Sequence, residues 1–175
     1  IFAIACSAVG RNRLIQDDRI RNFLVLLGNQ ENTPAGRKYI AGVIRDIARS
    51  AAGRVLLIQD DGIRELLVLL GNQENTPAGL EYIAAAIVDI ACSEAGRAWL
   101  IQDKGIRDVL VSLGKKENTP EGRQFIAAAI GNIAYSEAGR DWLIQDGKIR
   151  ALLVLLGNQT NTLEGRKFIA GAIGN

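Results

Sequence analysis

The chain has 175 residues, of which 48% are hydrophobic, 5% aromatic and 23% charged, a balance that supports a buried core and excludes a disordered chain. Its 21 basic and 19 acidic residues leave a formal charge of +2, which excludes the broad electrostatic footprint of a nucleic-acid or anionic-membrane binder. The longest apolar runs, such as 66–70 and 126–130, are far too short to span a bilayer, and no basic-then-apolar signal segment opens the chain. The expected compartment is the cytoplasm, with the nucleus left open.

Read in chain order, the sequence repeats itself every 43 residues. Ile1-Phe2-Ala3-Ile4-Ala5 opens in the register of the middle of a long helix. Ser7 then recurs as Ser50, Ser93 and Ser136, and Arg11 recurs as Arg54, Arg97 and Arg140. Asp17 returns as Asp60, Asp103 and Asp146, and Arg21 as Arg64, Arg107 and Arg150. Gly28, Gly71, Gly114 and Gly157 each close a Leu-rich run. A period of about 40–47 residues with only helical patterning marks stacked helical repeats rather than one globular core. The units run over about 11–53, 54–96 and 97–139, with a partial one over 140–175 and no linker or second domain.

The third unit predicts three helices. A short apolar segment from Ala95 to Leu100 ends at Ile101 and Gln102, and Asp103-Lys104-Gly105 reads as a breaker. From Ile106 to Leu113, the residues Ile106, Val109, Leu110 and Leu113 fall at i, i+3, i+4 and i+7, and Gly114 sits where a helix end favours a left-handed residue. After the polar connection 115–118, Thr119-Pro120 reads as an N-cap followed by proline at the first helical position, where its missing N–H costs nothing. The third helix then runs to about Ser136, with Phe125, Ile126, Ala129, Ile130 and Ile133 on a wide apolar face and Ala127, Ala128 and Ala129 permitting close helix approach. Thr33-Pro34 and Thr76-Pro77 repeat this start, whereas Thr162-Leu163 lacks the proline and specifies its helix less sharply.

A unit of this kind cannot cover its own apolar faces, so stability must come from its neighbours. The sequence stops at Gly174-Asn175 in the middle of another third helix, and neither end offers a polar outer face. The expectation is a fragment of a longer array, or an array whose ends are covered by further repeats or a partner. Cys6 and Cys92 lie two periods apart. At about 10 Å per packed helix they stand beyond disulfide reach.

The unit resembles an armadillo repeat. The family's pattern of a short helix, a second helix ending in a Leu-rich run, and a long third helix closing on Asn-Ile-Ala is matched by 105–113 and by Ile130-Gly131-Asn132-Ile133-Ala134, and the match covers essentially the whole chain. Two-helix HEAT repeats are the nearest alternative; the separate segment before each Asp-Gly turn favours armadillo. The resemblance implies an all-α, right-handed α-solenoid of about four three-helix units. It also implies a non-enzymatic scaffold or adaptor that binds an extended peptide or partner domain on a concave face built from third helices.

The family's peptide-gripping asparagine matches Asn132 and Asn175, and the equivalent positions elsewhere are Ala3, Asp46 and Asp89. An asparagine both donates and accepts, whereas an ionised aspartate only accepts and should prefer an N–H, an Arg or a Lys. The family's import adaptors place tryptophans four residues earlier; here those positions are Gly42, Ala85, Ala128 and Gly171, a departure from the basic-signal slot. One turn before lie Lys38, Glu81, Gln124 and Lys167, and near the far end lie Cys6, Arg49, Cys92 and Tyr135. The candidate partner-binding residues are therefore Lys38, Asp46, Arg49, Glu81, Asp89, Gln124, Asn132, Tyr135, Lys167 and Asn175, read against the plainer alternative of a solvated helix face. Tyr135 alone reads better as packing, and Trp99 and Trp142 as covers of a repeat junction.

The Arg21 ladder could track phosphates, but the balanced charge and scarce aromatics favour pairing with the Asp17 ladder. With no histidine, isolated cysteines and no Gly-rich loop followed by Lys-Ser or Lys-Thr, the chain is read as carrying no catalytic site, cofactor or metal. The expected partner is a protein or extended peptide, not a membrane or nucleic acid. A second reading is a structural component of a large assembly, such as a cytoskeletal one, that uses the ends and edges of the array.

Overall fold

The computed structural model describes residues 1–174, and the protein is all-α: thirteen helices and no strand among the described residues. A four-residue α1 (Phe2–Ala5) precedes α2 (Ala8–Gln16), α3 (Asp18–Asn29) and α4 (Pro34–Ala48). The same trio recurs as α5 (Ala51–Gln59), α6 (Asp61–Asn72) and α7 (Pro77–Ala91), and as α8 (Glu94–Gln102), α9 (Lys104–Lys115) and α10 (Pro120–Ala134). Its last copy is α11 (Glu137–Gln145), α12 (Gly147–Gly157) and α13 (Leu163–Gly174). No helix is long and apolar enough to cross a membrane.

Caps written into the sequence set these boundaries. Ser50, Ser93 and Ser136 each accept a backbone N–H three residues on, from Gly53, Gly96 and Gly139, which fixes the start of each first helix. Thr33, Thr76 and Thr119 do the same for the proline-started third helices. Thr162 accepts from Gly165 N at 2.9 Å, so α13 starts in the same way without its proline. Asp103 does not belong to a three-residue breaker. It alone separates α8 from α9, with an extended backbone (φ −82°, ψ 105°) and its carboxylate accepting from Ile106 N at 3.0 Å.

The units stack like on like: α1, α4, α7, α10 and α13 pack in one row, α3, α6, α9 and α12 in another, and α2, α5, α8 and α11 beside them. Ala84, Ala86, Ala127 and Ala129 are fully buried between third helices, where a small side chain lets the axes approach closely. Isoleucines 87, 90, 130 and 133 fill the remaining space.

Gly114 is not a left-handed helix end. It lies inside α9, no glycine among the described residues has positive φ, and a Cβ on it would meet Leu152 Cδ1 at 2.1 Å. Gly28 and Gly71 likewise receive Leu66 and Val109 of the following unit. Gly28, Gly71 and Gly114 therefore serve as a row of notches that seat the next second helix, and each helix continues one residue past its glycine. A second set is tighter: Cβ atoms on Gly53, Gly96 and Gly139 would come within 1.9, 1.9 and 1.8 Å of the carbonyl oxygens of Ile47, Ile90 and Ile133. These glycines let each first helix lie directly against the end of the preceding third helix.

Arginines complete the junctions. Arg11, Arg54, Arg97 and Arg140 donate to the carbonyls of Ala5, Ala48, Ala91 and Ala134, at 3.1 to 3.2 Å, satisfying helix ends and complementing their dipoles. The second arginine ladder pairs with the Asp17 ladder as expected, and it does so across units, Arg21 with Asp60 at 3.3 Å, Arg64 with Asp103 at 3.7 Å and Arg107 with Asp146 at 3.1 Å, while Asp18, Asp61 and Asp108 pair with the same arginines within a unit. Trp99 and Trp142 are partly buried and pack against the core.

Candidate partner-binding face

The third helices lie side by side, so residues one period apart on them form rows across the molecule. Two of the rows inferred from sequence interleave. Cys6 Sγ lies 3.8 Å from Asp46 Oδ2, and Asn132 Nδ2 lies 3.6 Å from Cys92 Sγ. The residue near the far end of one third helix thus meets the asparagine or aspartate position of the next.

The individual stations differ. Asp46 is 1% exposed, and its carboxylate is taken by Arg45 at 2.7 Å, with Arg49 at 4.0 Å. The Arg that an acceptor-only side chain needs at this position comes from its own helix. Asp89 is half-buried, and desolvation pushes its carboxyl above the usual aspartate range; Arg49, Arg54 and Arg45 oppose the shift and Asp46 adds to it. Among the described residues, the side-chain contact of Asn132 is the one its Nδ2 makes with Cys92. Asn175 lies outside the described residues.

The row one turn earlier is engaged at the junctions. Thr119 Oγ1 donates to Glu81 Oε2 at 3.2 Å, and Thr162 Oγ1 to Gln124 Oε1 at 2.7 Å, so both acceptors clasp the N-cap of the following third helix. Lys38 sits over the ring of Tyr39 at 4.6 Å, and Lys167 pairs with Glu164 at 2.7 Å. Tyr135 does not pack: it is 75% exposed, because the C-cap position of α10 carries its side chain past the end of the row.

One row went unread in the sequence. Tyr39, Tyr82, Phe125 and Phe168 follow the 43-residue period, each directly after the row begun by Lys38. A Cβ on Gly42 would lie 3.3 Å from Tyr82 Cδ2, and one on Gly131 would lie 3.7 Å from Phe168 Cδ1. At Gly42, one of the positions that lack a tryptophan, the space is thus filled from both sides, by Phe2 of α1, whose Cε2 would lie 2.4 Å from the added Cβ, and by Tyr82 of the next unit. Arg45 stacks on Tyr82 with its guanidinium carbon 4.5 Å from the ring centroid. Arg45, Arg49, Glu81, Tyr82, Asp89 and Phe125 together border a shallow pocket of about 330 Å³ on this face. The recurrence of an aromatic at a fixed register was the signal available for it.

Two exposed thiols, Cys6 and Cys92, remain unpaired. No family model matches this chain, and no curated protein matches it.

Proposed function

We propose that the chain is a right-handed α-solenoid of armadillo-type units acting as a non-enzymatic scaffold or adaptor, which binds an extended peptide or partner domain on the concave face of its third helices in the cytoplasm or nucleus. The observation that carries this reading is the pocket between α4, α7 and α10. There an arginine stacked on Tyr82, the exposed Arg49, the half-buried Asp89 and the aromatic Phe125 adjoin the row that holds Asn132. Mixed polarity beside aromatic surface suits a peptide, whose backbone offers both donors and acceptors. The pocket lies at a junction, so an extended chain laid across the row would pass from Asp46 to Asp89 to Asn132, one position of the row per unit.

The test is crosslinking of the protein in cells, with Lys38 and Lys167 as the reporting sites, followed by repetition with the Asp89→Ala, Asn132→Ala double variant. Crosslinks to an extended segment of another protein that disappear in the variant support the proposal. Capture that survives the double substitution removes this face from consideration. A second reading, an architectural element in a large assembly, draws on a separate observation: most of the large exposed apolar side chains, among them Val9, Phe23, Leu26, Ile144, Val154 and Ile173, lie in the first and last units.

A further inference from the structure

A polar loop joins each second helix to the third helix that follows, and at two interior junctions an arginine ties two such loops together. Arg37 donates from Nη1 to the carbonyl of Asn32 in its own loop, and from Nε to the carbonyl of Glu74 in the next loop at 2.6 Å. Arg123 repeats the arrangement with Asn118 at 2.5 Å in its own loop and Thr160 in the next, which accepts from Nε at 2.8 Å and from Nη2 at 2.5 Å. A guanidinium suits the place because its planar fork carries donors on two edges and can reach two carbonyls at once.

The junction between these two has the acceptors without the arginine. Leu80 stands one period after Arg37 and one before Arg123, and it is buried in the apolar core. The carbonyls equivalent to the two acceptors are those of Asn75 and Glu117, and no donor reaches either one among the described residues. Both residues, with Glu74 and Lys116, border a cavity of about 460 Å³ beside Leu80. The Lys116 ammonium is turned to the earlier unit, where it donates to the carbonyls of Gly71 and Gln73. Glu74 and Glu117 are exposed and make no ion pair among the described residues, so two carboxylates face one ammonium across the cavity. Asn75 adds a further acceptor, an Oδ1 that is buried without a hydrogen-bond partner. The third helices of the first and third units pack on either side of α7, so the opening belongs to an interior junction.

We propose that this cavity binds a guanidinium cation, either the arginine side chain of a partner protein or a small guanidine, which bridges the carbonyls of Asn75 and Glu117 as Arg37 and Arg123 bridge theirs. Glu74 and Glu117 supply the counter-charge. The argument is that the molecule fills the equivalent place twice with its own guanidinium, and that the second unit keeps the acceptors and the space while lacking the group. An ammonium is a point donor without the fork, so it fits the pair of carbonyls less well. The site lies among the loops at the starts of the third helices and shares no residue with the pocket that Arg45, Tyr82 and Asp89 border, so it stands independently of the peptide reading.

Amide chemical-shift titration of the whole chain at low salt tests it, with methylguanidine, acetyl-arginine amide and methylammonium as probes. The two guanidines are expected to give saturable shifts confined to residues 72–80 and 116–118, and methylammonium is expected to bind several-fold more weakly. Tighter binding of acetyl-arginine amide than of methylguanidine assigns the site to a partner's arginine, equal binding assigns it to a small guanidine, and either result supports the proposal. Leu80→Arg places the chain's own guanidinium in the cavity and is expected to abolish the shifts. Because Leu80 is buried, the exposed pair Glu74→Gln and Glu117→Gln provides a second variant, expected to fold as the wild type and to bind the guanidines several-fold more weakly. The proposal is overturned by shifts that never saturate or that spread over every acidic surface, by methylammonium binding as tightly as the guanidines, or by binding that survives unchanged in a folded Leu80→Arg or in the double glutamine variant.

Discussion

Lys116 and Leu80 face one another across the second junction as a compensating pair. Arg37 and Arg123 reach forward from their third helices to the carbonyls of Glu74 and Thr160, at 2.6 and 2.8 Å. Leu80 occupies the equivalent position in α7 and has nothing to donate. Lys116 stands where the other units have glutamine, and it reaches back to the carbonyls of Gly71 and Gln73 at 2.7 and 2.8 Å. Cationic bridging between loops is thus kept while its direction is reversed.

Lys116→Gln, which inserts the residue of the other units, should destabilise the protein by about 1.5–3 kcal/mol, the range for hydrogen bonds that involve a charged group. Adding Leu80→Arg should recover part of that loss by restoring the forward bridge. Urea unfolding of the two single variants and the double variant measures the coupling; strictly additive losses would mean that the two positions do not substitute for one another.

Glycine-to-alanine substitution should give opposite signs at two helical positions. At Gly96 the new methyl would lie 1.9 Å from the backbone oxygen of Ile90, so α8 must move off the end of α7. The expected cost is about 1–3 kcal/mol despite alanine's better helix propensity. At Gly157 nothing lies within 4 Å, and the propensity gain of up to about 1 kcal/mol should emerge alone. Melting temperatures of the two variants against the unsubstituted protein make the comparison.

Asp146 holds two roles that substitution can separate. Its carboxylate caps α12 by accepting from Lys148 N at 2.9 Å and Ile149 N at 3.2 Å, and it pairs with Arg107 at 3.1 Å. Asp146→Asn keeps a capping oxygen and loses the charge, so the expected cost is that of a partly exposed ion pair, about 0.2–1 kcal/mol. Asp146→Ala should cost about 1 kcal/mol more. Equal losses in denaturant titrations would mean that the cap contributes nothing.

The pH dependence of Asp89 follows from the sign of its shift. Burial raises its carboxyl in the folded protein, so the folded state holds the proton more tightly than the unfolded state does. Its contribution to stability is fully present below the unfolded aspartate value and is lost as pH rises through the raised folded value. Asp89→Asn should therefore stabilise the protein modestly at neutral pH, with the gain shrinking as both carboxyl states become protonated in acid. Thermal melts of the two proteins across mildly acidic pH check this; an advantage that stays constant down to acid would contradict it.

What the sequence determined by itself was local and periodic. The caps at Ser93 and Thr119, the proline starts and the apolar spacing from Ile106 to Leu113 act within one or two helical turns, so reading them required no knowledge of neighbours. The 43-residue period then implied that like helices would stack on like, because a unit with exposed apolar faces has nowhere else to bury them. Tertiary structure decided what each periodic residue touches. Gly114 looked like a helix terminator because glycine serves both ends and close contacts, and only the arrival of Leu152 distinguishes the two uses. Arg107 had Asp103 four residues away in sequence, yet it pairs with Asp146, because stacking brings the next unit's cap nearer than its own. In the candidate face, the positions of Asp46, Glu81 and Gln124 were legible, but their engagement with Arg45, Thr119 and Thr162 was not. A period fixes which residues share a row, whereas the spacing and tilt of packed helices fix which of them meet.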